Sequence, residues 1–195
     1  MNLSMIKGEL LKATTSPKCL ILGDKQTGKS SFINRLTSGD FSDVYTPSIL
    51  PIIQQVSLNT NIGNVNFQVY EGGCPDSIDC ALVMFDLNNR DSFNKVIEYY
   101  DFVVQTFGNI PIIILGNKCD SVMDYQESTH PNTVKITEIT NFIHNTYKHL
   151  NLVYFDISAK SLYNYDKPFL YLLRKLINGN DKTYMELMNS SVLVY

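Results

Sequence analysis

Apolar and polar positions alternate in a way that changes rhythm once along the chain. Lys18-Cys-Leu-Ile-Leu22 is a continuous apolar run and predicts a buried strand that ends in a turn at Gly23. Phe32, Ile33 and Leu36 recur at helical spacing, so a helix should start near Gly28 and stop at Ser38-Gly39-Asp40. An irregular stretch with Pro47 and Pro51 follows. Ile52, Gln54, Val56 and Leu58, and then Val65, Phe67 and Val69, keep the period of two that marks half-buried strands. Asn59-Thr-Asn-Ile-Gly63 between them has the turn chemistry of an antiparallel hairpin.

From Cys80 the pattern becomes strand, helix, strand, helix. Cys80 to Phe85 and Ile110 to Leu115 are unbroken apolar runs, as expected of strands covered on both faces. Phe93, Ile97, Tyr100, Val104 and Phe107 form a helical stripe between them. A further helix is predicted from Ile136, Ile139, Ile143 and Tyr147, a strand from Leu152 to Ile157, and a last helix from Leu170, Leu173 and Ile177, closed by Asn178-Gly179-Asn180. Such alternation, with one hairpin, predicts a three-layer α/β domain around a mostly parallel sheet. No internal repeat or linker marks a second domain. The expected division is an N-terminal extension over 1–17, the domain over 18–180 and a tail over 181–195.

Composition adds exclusions. With 195 residues, 44% hydrophobic and 18% charged, the chain can build one sizeable core. Sixteen Lys and Arg against nineteen Asp and Glu give a net charge of −3, which argues against a nucleic-acid binder. The apolar runs are strand-sized and too short to span a bilayer. Asn2 argues against myristoylation and Val192-Leu193-Val194-Tyr195 offers no cysteine to prenylate, so no membrane anchor is expected. Cys19, Cys74, Cys80 and Cys119, with His130, His144 and His149, have no zinc-type spacing; buried or half-buried thiols in a reducing compartment are the expectation.

The chemistry sits at the strand ends. Gly23-Asp-Lys-Gln-Thr-Gly28-Lys29-Ser30 satisfies G-x-x-x-x-G-K-[ST], a loop whose backbone N–H groups turn toward phosphate oxygens while the following helix adds its positive end. Lys29 can neutralise β/γ oxygens and Ser30 can ligand Mg²⁺. A chance match in a chain of this length is about one in a hundred from average residue frequencies. Gly116-Asn117-Lys118-Cys119-Asp120 directly follows a buried strand. A carboxylate at Asp120 can accept from guanine N1–H and the exocyclic amine together, an arrangement adenine cannot offer. Ser158-Ala159-Lys160, at the end of the last strand, can present backbone N–H groups to guanine O6.

With these motifs in order, the chain resembles the small GTPases of the Ras superfamily over nearly its whole length, and most of all the Ran branch. Cys80-Ala-Leu-Val-Met-Phe-Asp86, Asn109-Ile-Pro-Ile-Ile-Ile-Leu-Gly-Asn-Lys118, Asp156-Ile-Ser-Ala-Lys-Ser161 and Tyr163-Asn-Tyr-Asp-Lys-Pro-Phe-Leu170 carry that likeness. The resemblance implies a P-loop G domain with a six-stranded, mostly parallel sheet, one antiparallel strand and helices on both faces. It implies GTP or GDP with Mg²⁺ as ligands. Gly23, Asp24, Lys25, Gln26, Thr27, Gly28, Lys29, Ser30 and Ser31 would wrap the phosphates. Phe41, Asn117, Lys118, Asp120, Ser158, Ala159 and Lys160 would hold the base, and Ser30 and Ser48 the metal. Tyr45 matches a tyrosine of the Ran switch I. Implied partners are Ran-type exchange or transport factors, the implied state a monomer, and the location cytoplasm, nucleus or both.

The chain also departs from that pattern. Where the family writes D-x-x-G-Q, it reads Glu71-Gly72-Gly73-Cys74-Pro75-Asp76 and reaches the next strand at Cys80, so most of switch II is missing. Glu71 is one methylene longer than the family aspartate. Cys74 replaces a glycine that senses the γ-phosphate, and Pro75 stands where a glutamine orients the attacking water, with neither side-chain amide nor N–H. Lys25 and Gln26 replace two phosphate-loop glycines. Two readings stay open at Lys25: it obstructs a partner's arginine finger, or it replaces that finger from within as a catalytic cation. Ran's basic patch is reduced to His144-Asn-Thr-Tyr-Lys-His149, and its acidic end is replaced by Ser190-Ser-Val-Leu-Val-Tyr195. The expectation is nucleotide binding with hydrolysis slow or lost; the alternative is an active GTPase cycling in nucleocytoplasmic transport.

Overall fold

A computed structural model of the chain describes residues 16–42, 44, 50–60, 63–123, 131–150 and 152–178. Six strands form one sheet: β1 (Lys18–Leu22), β2 (Ile52–Thr60), β3 (Gly63–Glu71), β4 (Cys80–Asp86), β5 (Ile112–Asn117) and β6 (Val153–Asp156), in spatial order β2-β3-β1-β4-β5-β6. β2 and β3 pair antiparallel, and every other neighbouring pair is parallel. The helices are α1 (Lys29–Thr37), α2 (Arg90–Asn94), α3 (Val96–Phe107), α4 (Asp120–Met123), α5 (Ile136–Asn141, continued by a π-helical turn over Phe142–Thr146) and α6 (Lys167–Asn178).

Parallel strands require crossovers, and the crossovers lay helices on both faces of the sheet. Cys19, Ile21, Leu82, Met84, Ile113 and Leu115 point to one face, where Phe32, Ile33 and Leu36 of α1 and Phe169, Leu172 and Leu173 of α6 cover them. The Phe169 ring stands edge-on to Phe67 and stacks near Phe32. On the other face Val83, Phe85 and Ile114 meet Phe93, Val96, Ile139 and Ile143, while Leu20 and Ala81 meet Val103. The hairpin keeps the alternation read from the sequence, with Val56, Leu58, Val65, Phe67 and Val69 buried and Gln55, Ser57, Asn59 and Asn64 exposed.

Two helical stripes are corrected. The helix between β4 and β5 is broken at Lys95, which ends α2 and begins α3. The break re-phases the second half, so Val96 and Val103 turn inward and Val104 is left 39% exposed. Ile136 opens its helix on the solvent side at 65% exposure, while Ile139 and Ile143, four residues apart on one helix face, both reach the core. Strand ends shift by one or two residues: β5 runs on to Asn117 and β6 is shorter than Leu152 to Ile157. Of the cysteines, Cys19, Cys80 and Cys119 are buried and Cys74 is exposed. Tyr45, Pro47, Ser48, the N-terminal extension through residue 15 and the tail from 181 lie outside the described residues. Among the described residues no helix is long and apolar enough to cross a membrane.

Candidate functional site

The carboxyl ends of β1, β4, β5 and β6 open at one edge of the sheet, where a doubly wound fold gathers its ligand loops. The first of these loops is held extremely close to the sheet. Gly23 has φ +141°, and a Cβ placed there would sit 2.0 Å from the Met84 carbonyl oxygen. Gly28, at φ +96°, opens α1 where a Cβ would fall 2.3 Å from Asn117 Nδ2. Between them Gln26 adopts φ +65°. For a side-chain-bearing residue that conformation costs about 1–2 kcal/mol, so the loop keeps its path although glutamine stands there.

Lys29 donates from Nζ to the carbonyl oxygens of Gly23 and Asp24, each at 2.8 Å, and so spans the mouth of the loop. Burial pulls this lysine below its ordinary range, while the charges of Glu71 and Asp24 pull the other way. Thr27, fully buried, donates its hydroxyl to Asp24 O at 2.9 Å and braces the loop from inside. The first turn of α1 carries no acidic residue and Gly28 supplies no side-chain cap, which suits an anion at this helix end. Ser30 Oγ donates to Glu71 Oε1 at 2.8 Å, and Glu71 is only 7% exposed. The longer glutamate thus reaches the Ser30 hydroxyl directly.

Asn117 ties the motifs together. Its Nδ2 donates to Thr27 O at 2.9 Å, and its Oδ1 accepts from the Ala159 N–H at 3.3 Å. One side chain thereby fixes the phosphate loop against the loop after β6. Lys118 takes φ +65° and sends Nζ to Asp86 Oδ2 at 2.7 Å. Asp120 Oδ1 accepts from the buried Ser158 hydroxyl at 2.6 Å, which sets the carboxylate's orientation. Gly116 lets β5 pass under Tyr154, whose hydroxyl would lie 2.4 Å from a Cβ.

These loops border one open cavity of about 950 Å³. Gly23, Lys25, Gln26, Gly28, Lys29, Ser30, Ser31, Phe41, Asn117, Lys118, Asp120, Ala159 and Lys160 line it, with Glu71 and Gly72 at one end. Thr27 and Ser158 lie behind the wall and act through their hydrogen bonds. Asp24 is also off the wall: its carboxylate turns outward to Lys95 Nζ at 2.7 Å and Tyr99 OH at 2.8 Å. Ser48 falls outside the described residues. Sequence reasoning missed Tyr99 and Asn34, which line the cavity. Tyr99 lay one position off the stripe read through Tyr100, and the re-phasing at Lys95 is what brings it to the site.

The segment between β3 and β4 contains no helix. From 72 to 79 it runs as bends, with Gly72 alone lining the cavity, Ile78 buried against Leu20, Ala81 and Val103, and Asp79 accepting from the Lys18 N–H at 2.8 Å. Gly73 lies so close to Pro51 that a Cβ would stand 2.9 Å from the proline Cβ.

The donor set suits a hard divalent cation: a serine hydroxyl paired with a buried carboxylate, at the phosphate-loop end of the cavity. Among the described residues no cluster of three His, Cys, Asp or Glu exists. A protein that supplies few ligands of its own fits Mg²⁺, which is usually held partly by substrate phosphates. The Ras family model matches residues 18–178 of this chain. The match spans the phosphate loop after β1 and the loop after β5, which Asn117 links, and the chain belongs to the Ras family of guanine-nucleotide-binding small GTPases.

Proposed function

We propose that this chain is a Ran-like module that binds GTP or GDP with Mg²⁺, hydrolyses GTP slowly or not at all, and serves as a binding platform or decoy for exchange or transport factors of the Ran type. In binding, Lys29 exchanges the Gly23 and Asp24 carbonyls for β/γ oxygens, and the backbone N–H groups of 23–31 surround the phosphates. Asp120, oriented by Ser158, accepts from the guanine N1–H and amine, and the Ala159 loop faces O6. Ser30 would hold Mg²⁺ with Glu71 behind it; when bound, the ion neutralises charge on the phosphate oxygens.

The short link from Glu71 to Cys80 carries the proposal. Gly72 is its one contribution to the cavity wall, and Pro75 has no amide with which to orient a water. Support for the Ran branch comes from the Tyr163–Leu170 stretch, which is built into the base loop: Tyr163 O accepts from the Ser158 N–H, and Asn164 Nδ2 donates to Asp156 O. A working GTPase is the second reading, and Lys25 favours it, since this exposed lysine lines the cavity and can bring positive charge to the phosphates. Lys25 still positions no water.

Single-turnover phosphate release from preloaded GTP and Mg²⁺ separates the two. The expected rate is at least tenfold below the roughly 3–5 × 10⁻⁴ s⁻¹ of unassisted Ras. Release at that rate or faster would establish the working GTPase.

A further inference from the structure

We infer that Asp24, Lys95 and Tyr99 form a latch through which α3 positions the phosphate loop and keeps Lys29 available to the nucleotide. The inference rests on guanine-nucleotide binding and adds residues to which the sequence motifs assign no such part.

Asp24 has two ends with different duties. Its carbonyl accepts from both Lys29 Nζ and Thr27 Oγ1, so it is part of the loop's inner bracing. Its carboxylate leaves the loop and is held from α3 by Lys95 Nζ at 2.7 Å and Tyr99 OH at 2.8 Å. Lys95 and Tyr99 are one helical turn apart, with the Tyr99 N–H bonded to Lys95 O, so a single helix face supplies both donors. The break between α2 and α3 at Lys95 is what aims that face at the loop.

The arrangement solves an electrostatic problem. A carboxylate carried by the phosphate loop itself repels the incoming anion and competes for Lys29, whose charge it feels directly. Engaging that carboxylate from outside turns it away from the cavity and weakens the competition. Burial works to raise the Asp24 pKa, but the hydrogen bonds from Lys95 and Tyr99 outweigh it and leave the group below its ordinary value, hence ionised. Tyr99 itself is pushed up to about 12 by burial and by the same carboxylate, so it remains a donor at every physiological pH. Because Tyr99 also lines the cavity, the latch touches the ligand space at one end and the loop at the other.

The test measures mant-GDP dissociation from the full chain for the parent, Lys95→Met, Asp24→Asn and the double variant. Lys95→Met removes the compensating cation, leaves the carboxylate only the neutral Tyr99 donor, and should release mant-GDP about tenfold faster, since losing one partner of a charge pair acts mainly on the off-rate. The defect should shrink as salt rises. Adding Asp24→Asn should return release to within about threefold of the parent, because the competing charge is gone. A purely structural tie predicts the opposite: Asp24→Asn alone as fast as Lys95→Met, with no recovery in the double. That pattern, or an unchanged Lys95→Met, overturns the latch. A parent that fails to bind mant-GDP would instead overturn nucleotide binding itself.

Discussion

Gly23→Ala is expected to destabilise the fold by about 3–5 kcal/mol, from backbone strain and overpacking together. The new Cβ would lie 2.0 Å from the Met84 carbonyl oxygen, a backbone atom in the central strand β4 that cannot swing aside. The backbone at φ +141° adds its own penalty. Gly39→Ala isolates the second effect, because Gly39 has φ +76° and nothing within 4 Å of a Cβ. It should cost only about 1–2 kcal/mol, the penalty of a left-handed residue. Urea denaturation of both variants checks the ranking; equal losses would mean that the close approach to β4 contributes nothing.

Asn117→Ala should be the most damaging change to the site. Asn117 is 2% exposed and satisfies Thr27 O and the Ala159 N–H, both within buried residues. Each buried group left without its partner costs about 1–3 kcal/mol. Because the phosphate and base loops are then no longer tied, guanine-nucleotide affinity should fall about 10²–10³-fold, that is by roughly 3–4 kcal/mol. Asn117→Asp should be at least as harmful, since a carboxylate oxygen would face Thr27 O. A mant-GDP titration measures both, and an affinity within threefold of the parent would remove Asn117 from its assigned role.

Much of this was legible in the chain because the relevant signals are local. The apolar runs at Cys80 and Ile112 have to be covered on both faces, and the period of two from Val56 to Val69 fixes which side of the hairpin is buried. The phosphate loop announces itself because only glycine can occupy Gly23 and Gly28 at the distances seen. What stayed hidden depends on long-range packing. The break at Lys95 leaves no glycine or proline in the sequence, so the stripe was read one residue out of phase and Tyr99 was overlooked. Ile136 shares the helical stripe of Ile139 and Ile143, and no sequence mark shows that it sits at the very first position of the helix, where it faces solvent. Asp24 looked like one more phosphate-loop residue because its partners lie on α3, more than seventy positions away in sequence.

Residues 72–79 alone link β3 to β4. A family member normally reads the γ-phosphate through a mobile segment between β3 and β4. In this chain Gly72 is the residue of 72–79 that lines the cavity, with Ile78 packed into the core and Gly73 against Pro51. Among the described residues, Asp24 connects the phosphate loop to α3.

The central claim is that three strand-end loops converge on a guanine nucleotide. Thermal melting of nucleotide-stripped protein with Mg²⁺ and either GDP or ADP tests it most directly. A ligand at a thousandfold over its Kd stabilises by about 4 kcal/mol, so GDP should raise Tm by several degrees. ADP, which cannot satisfy the Asp120 carboxylate, should leave it unchanged. No shift with GDP, or an equal shift with ADP, would contradict the account.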